Sequence, residues 1–119
     1  FPNADAPWPY GLGGGPRAPD GVFATPLHLL LGDADDDPDH ESLSRSVGAM
    51  AQGPHRFARG QAFYSAARAQ AGEDLAWSCS IAPALAHENA LAARYAAPLL
   101  FAEEAPAPGP CRRLADLGE

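Results

Sequence analysis

Apolar residues gather into short patterned stretches between about Gly21 and Phe101, while both ends of the chain are rich in Pro, Gly and acidic residues. Thr25-Pro26 biases the backbone away from helix. Leu27-His28-Leu29-Leu30-Leu31 then runs apolar without alternation up to Gly32. Such a run, ended by glycine, is the pattern of a parallel strand buried on both faces. His28 inside it reads as a core histidine with its hydrogen bonds satisfied. Residues 33–46 form a polar loop, and Val47 to Ala51 suit a short helical turn. Pro54 fits the first position of a new helix. From His55 to Ala71, Phe57, Tyr64, Ala67 and Ala71 recur near a 3.6-residue period, which predicts a helix with one apolar face. Gly60 weakens that helix slightly, and Gly72 suits its end. Leu75–Ala82 reads as a second strand with Trp77, Cys79 and Ile81 on one face. A loop through Pro83 delivers His87. Glu88 and Asn89 then open a helix carrying Leu91, Tyr95 and Leu99 on one side, limited by Pro98.

The predicted order is strand, loop, helix, strand, loop, helix, an α/β pattern with a parallel pair joined by a crossover helix. Two parallel strands leave faces and edges uncovered, so the pattern is incomplete as a stand-alone sheet and asks for neighbouring strands. Three segments follow: a Pro/Gly-rich loop over 1–21, a strand-helix-strand-helix part over 22–101, and an acidic Pro/Ala-rich tail over 102–119. The tail's composition predicts loose attachment to the body. In the first segment only Trp8 and Tyr10 are bulky enough to anchor it. Gly13-Gly14-Gly15 lacks the spacing of a phosphate-binding loop.

Charge narrows the function classes. The 119 residues carry 15 acidic and 8 basic side chains, for a net charge of −7, and every basic residue is an arginine. That balance argues against nucleic acid and against an anionic membrane face. No apolar run is long enough to span a membrane. Nothing at the start resembles a signal peptide, and a chain opening at Phe1 without methionine reads as a piece of a longer protein. Cys79 and Cys111 are too few and too far apart for a metal or redox motif. Cys79 reads first as a small buried hydrophobe, and a disulfide to Cys111 stays open.

The candidate chemistry sits just past the two strand ends. Asp35 follows the first strand and His87 the second, and the carboxyl ends of parallel strands are where α/β sheets place their sites. A carboxylate there can accept the Nδ1 proton of the imidazole and leave the other ring nitrogen as a general base. Spacing alone is equally compatible with an acidic turn and an unrelated surface histidine.

The residues Leu29-Leu30-Leu31-Gly32-Asp33-Ala34-Asp35 resemble the acid turn of the α/β-hydrolase fold, where a strand ends in Gly-x-x-Asp. Met50-Ala51-Gln52-Gly53-Pro54-His55-Arg56-Phe57-Ala58-Arg59-Gly60 is similar to a block in a bacterial subgroup of esterase and polyester-depolymerase-like members. Ala86-His87-Glu88-Asn89 stands where that family has its histidine loop, and Trp8-Pro9-Tyr10-Gly11-Leu12 resembles the loop before the acid strand. The resemblance covers roughly residues 1–101 and implies the C-terminal part of such a domain, in chain order Ser…Asp…His. It implies Asp35 as triad acid and His87 as base, a small-molecule or polymeric ester substrate, and no cofactor. Two departures stand out. Pro83-Ala84-Leu85-Ala86 replaces a Pro-Gly-containing turn, and no serine lies in a G-x-S-x-G setting. The nucleophile and oxyanion hole are then expected upstream, in the rest of the hydrolase domain, and the chain by itself is expected to be inactive.

Other classes weigh less. Asp33, Asp35 and Asp37 match the first three ligand positions of a calcium loop, but Pro38 stands where glycine is required and Ser44 where a bidentate glutamate belongs. His40, His55 and His87 lack the spacing of a zinc site, and no cysteine pair supports them. His55 reads as a surface or capping residue. The alternative to an enzyme is a non-catalytic or degenerate α/β module with an acidic, calcium-binding loop.

Overall fold

The computed structural model describes residues 20–117. The readings of Trp8, Tyr10, Gly13–Gly15 and the Trp8–Leu12 segment lie outside the described residues. Strand β1 (His28–Gly32) is followed by a short helix α1 (Val47–Ala51), helix α2 (Arg56–Ala71) and a 3-10 turn (Gly72–Asp74). Strand β2 (Ser78–Ala82), helix α3 (Asn89–Leu100) and a two-residue strand β3 (Arg112–Arg113) complete the order. Among the described residues the sheet is parallel, in the order β1-β2-β3, with His28 opposite Ser78 and Gly32 opposite Ala82.

The three consecutive leucines of β1 are apolar because the two sides of the sheet are both covered. Leu29 and Leu31 pack with Tyr64, Ala67, Trp77 and Cys79 on the α2 side, while Leu30 packs with Ala82, Leu85 and Tyr95 on the α3 side. Trp77 holds the first cluster, stacked on Phe63 at 5.4 Å and donating its indole N–H to the Val22 carbonyl at 3.0 Å. Gly60 finds its reason here: a Cβ at that position would lie 2.4 Å from Leu31 Cδ2, so glycine lets α2 close on β1.

The structure refines several expectations. Helix α2 begins after an N-cap at His55, whose Nδ1 accepts the Ala58 N–H at 3.2 Å, so Pro54 precedes the helix and does not open it. Strand β2 starts at Ser78, later than the expected Leu75, and all five of its residues are buried, Ser78 and Ser80 included. A strand paired on both edges and covered on both faces has no polar side, whereas β1, paired only with β2 among the described residues, is half-exposed throughout. The core histidine is only half satisfied. His28 Nδ1 lies 2.6 Å from Ser78 Oγ, while its Nε2 is buried without a hydrogen-bond partner among the described residues.

The tail departs most from its composition. Cys111 forms a disulfide with Cys79, near the start of β2, and Arg112 and Arg113 pair with Ser80 and Ile81. Leu114 N–H donates to the Ile81 carbonyl at 2.9 Å. Composition reports how little this segment can bury, but a single covalent partner far away in sequence removes the need for a core.

Candidate active site

Two turns beyond the carboxyl ends of β1 and β2 interlock. The Asp33 N–H donates to the Ala82 carbonyl and the Ala34 N–H to the Leu85 carbonyl, each at 3.1 Å. The approach is so close that a Cβ on Gly32 would stand 2.1 Å from the Leu85 carbonyl oxygen. Glycine ends β1 because the histidine loop occupies the space of a side chain. The Asp35 N–H returns to the Gly32 carbonyl at 3.1 Å, closing the turn, and the Asp35 carbonyl receives the Phe57 N–H at 3.0 Å. The start of α2 thereby fixes the acid turn from behind.

On the other side, Ala84 adopts φ 57°, the left-handed conformation that glycine takes at no steric cost. That is the place where the resemblance leads one to expect a Pro-Gly turn. For alanine the conformation costs about 1–2 kcal/mol, and the surroundings hold it there. The Ala84 N–H donates to Asp33 Oδ1 at 2.8 Å, and Leu85 is buried beneath. The loop then lifts His87 to the surface, with its side chain 51% exposed.

Asp35 and His87 meet. His87 Nδ1 lies 3.2 Å from Asp35 Oδ2, across 52 residues of sequence and the ends of two neighbouring strands. The Asp35 side chain is 19% exposed, more sheltered than its partner. With Nδ1 as the donor to the carboxylate, Nε2 is left available to exchange a proton with another group.

Sequence reading missed the rest of the surroundings. Arg56 Nη1 stands 3.5 Å from the far oxygen, Oδ1, of Asp35, and its Nη2 donates to Ser42 Oγ at 2.8 Å. Ser42 Oγ is 3.1 Å from His40 Nδ1, and the His40 ring meets the His87 ring edge-on at 5.3 Å between centroids. Asp35, Arg56, Ser42, His40 and His87 thus form a closed circuit. Beyond the Asp35–His87 pair, its sequence signal was the Gly53 block, which contains Arg56; Ser42 was unmarked, and His40 was weighed only as a zinc ligand.

Asp33 and Asp35, two residues apart, have different partners. Asp33 Oδ2 pairs with Arg113 Nη1 at 2.5 Å while its Oδ1 holds the Ala84 N–H. The Arg113 hydrogen bond, more than the Ala84 N–H, holds the Asp33 carboxyl below the usual carboxylate range, against a smaller opposing effect of desolvation. These contacts also bear on the calcium loop. Asp33 is engaged by Arg113 and Ala84, Asp35 by His87 and Arg56, and Asp37 Oδ1 accepts the Asp39 N–H at 2.8 Å. Among the described residues no group of three or more His, Cys, Asp and Glu side chains converges as a metal site would. His55 is spent on its helix cap, apart from His40 and His87.

Surface grooves of about 640 and 410 Å³ lie elsewhere, the first beside Tyr64 and Arg68, the second beside His28 and Ser78, and Pro108 borders both. Neither touches Asp35 or His87. No described helix is long and apolar enough to cross a membrane.

No protein-family model and no curated protein matches the sequence. Solved structures do. A poly(aspartic acid) hydrolase-1 from Sphingomonas sp. KT-1 is 41% identical, with a TM-score of 0.70 over 81% of this chain and 39% of its own. LpqC, a poly(3-hydroxybutyrate) depolymerase from Bordetella parapertussis, is 29% identical, with a TM-score of 0.71 over 89% of this chain and 38% of its own. The chain therefore spans less than two fifths of the length of these hydrolases. With a parallel sheet between helices and these likenesses, the chain is α/β-hydrolase-like and corresponds to part of a domain such as these depolymerase-type hydrolases have.

Proposed function

We propose that this chain supplies the acid and the base of a serine hydrolase that cleaves carboxylic esters through an acyl-enzyme, Asp35 being the acid and His87 the base. The observation that carries the reading is the 3.2 Å contact between His87 Nδ1 and Asp35 Oδ2 at the ends of adjacent parallel strands. Asp35 accepts the Nδ1–H, fixes the tautomer and stabilises the imidazolium as it forms. His87 Nε2 takes the proton of a serine hydroxyl as that oxygen attacks the ester carbonyl, and returns it to the leaving alcohol. A water activated by the same nitrogen then releases the acid product. Arg56 keeps a positive charge at the outer oxygen of Asp35, and the His40 edge limits how far the His87 ring can swing.

The serine is not among the residues of this sequence in a G-x-S-x-G setting, so it comes from another part of the domain, and this chain alone is inactive. The substrate is a small or polymeric ester; the solved relatives act on polymers by name, which supports a polymer-accessible, shallow site. The test is made on the protein as naturally encoded, with a 4-nitrophenyl ester and with particulate polyester. His87→Ala lowers kcat on the order of a thousandfold or more, and Asp35→Asn does so comparably while leaving the ring contact in place. Near-normal turnover in either variant overturns the assignment.

A further inference from the structure

We propose that the C-terminal segment from Cys111 to Leu117 is a brace for the histidine loop, and that Arg113, acting through Asp33, is a positioning residue for His87. The proposal rests on the reading of His87 as the catalytic base and goes beyond it by assigning work to a segment outside the strand-helix-strand-helix body.

The loop from Pro83 to His87 is pinned at Leu85, which is buried and whose carbonyl accepts the Ala34 N–H, but the turn before it needs further support. Three residues before His87 the backbone is strained: Ala84 has φ 57° without being glycine. A conformation of that kind persists only when the surroundings over-determine it. Two separate contacts do so, and the tail stands behind both. Arg113 Nη1 pairs with Asp33 Oδ2, and Asp33 Oδ1 accepts the Ala84 N–H at 2.8 Å, so one carboxylate transmits the position of the arginine to the strained peptide. On the other side, the Leu117 N–H donates to the Tyr95 hydroxyl at 3.2 Å, and that hydroxyl donates to the Pro83 carbonyl at 3.2 Å. The brace itself is anchored at its start by the Cys79–Cys111 disulfide and along its length by pairing of Arg112 and Arg113 with the buried strand β2.

The arginine is suited to such a role because its own contribution to stability is small. Its side chain is 58% exposed, and an ion pair of that exposure is screened by water. Losing it leaves the two cores intact and removes one wall of the loop. Asp33 then keeps its hydrogen bond to Ala84 but loses the charge that orients it, and His87, three residues on, loses its fixed distance to Asp35.

The experiment compares wild type, Arg113→Ala and Arg113→Lys in the protein as naturally encoded, by amide-hydrogen exchange and by 4-nitrophenyl ester hydrolysis. Expected for Arg113→Ala is faster exchange at residues 84–87 with exchange in β2 unchanged and only a small fall in melting temperature at neutral pH, as befits an exposed ion pair. A misplacement of the base on the order of an ångström lowers kcat by roughly ten- to a hundredfold, with KM within about twofold. Arg113→Lys, which keeps a cation beside Asp33, restores both readouts in large part. Unchanged exchange at 84–87 in Arg113→Ala overturns the brace, whatever happens to activity. Equal loss in the lysine and alanine variants overturns the charge-mediated role of Arg113. Faster exchange at 84–87 in a protein whose wild type hydrolyses no ester supports the brace and overturns the esterase reading, so the two failures are told apart.

Discussion

The two ends of the β1–β2 strand pair carry the same motif to opposite effect. At the amino end, His28 Nδ1 meets Ser78 Oγ at 2.6 Å; at the carboxyl end, His87 Nδ1 meets Asp35 Oδ2 at 3.2 Å. Each is an imidazole tied by the same nitrogen to an oxygen on the neighbouring strand or its extension. The difference lies in the partner's charge and in the fate of the other nitrogen. His28 faces a neutral hydroxyl and its Nε2 is sealed in, so burial pushes its pKa below the usual histidine value of 6.5. His87 faces a carboxylate and its side chain is half-exposed, so its second nitrogen stands open to a further group, as the proposed role requires. A histidine at a strand terminus is therefore structural or chemical according to what its second nitrogen can reach.

The comparison breaks hardest at Gly32. A Cβ there collides with the Leu85 backbone at 2.1 Å, and only a shift of the histidine loop relieves it. Gly32→Ala is expected to separate Asp35 from His87, to lower kcat by about a hundredfold or more, and to leave the His28 end unaffected. Ring-proton spectra of the two histidines check this, with only the His87 signals moving.

The pH dependence of stability sharpens the contrast at intermediate size. Because the folded state disfavours protonated His28, the unfolded chain binds more protons as pH falls below 6.5. Stability is complete above 6.5 and declines as pH drops from there through the depressed folded pKa. Asp33 gives a second, more acidic decline: its folded pKa is lowered, so its contribution is present above the ordinary value of 3.8 and is lost as pH falls through the folded pKa. Melting temperatures across pH 3–7 should show both, and His28→Asn should flatten the first while sparing the second. A first decline that survives in His28→Asn assigns it to another group.

His40 is expected to give the smallest effect. Its edge contact with His87 is the kind worth about 0.5–1.5 kcal/mol, so His40→Ala should lower kcat by roughly two- to tenfold. His40→Phe, which keeps an aromatic ring there, should lose less. Equal kcat values for wild type and His40→Ala would remove His40 from the site.

Much of the fold was legible in short windows. Leu29, Leu30 and Leu31 announce a strand covered on both faces because no parity is polar, and Tyr64 with Ala67 announces the buried side of α2 through its period. The Asp35 and His87 positions could be picked because strand ends in an α/β order define one edge of the sheet. The resemblance to the hydrolase acid turn and histidine loop sharpened the choice. Arg56, Ser42 and His40 could not be picked in the same way, since a polar loop residue carries no periodic signature.

By itself, then, the sequence determined the element order as far as α3, the two-sided cover of β1 and the two residues that extend the strands toward each other. These are local: periodicity and the ends of apolar runs arise within a few residues of chain. Only the tertiary structure decided the burial of Ser78 and Ser80, the need for glycine at 32 and 60, the disulfide, and the brace that brings Arg113 to Asp33. Each of these depends on which distant segment occupies a given volume. Asp33 and Arg113 lie 80 residues apart, and no local pattern encodes a partner at that distance.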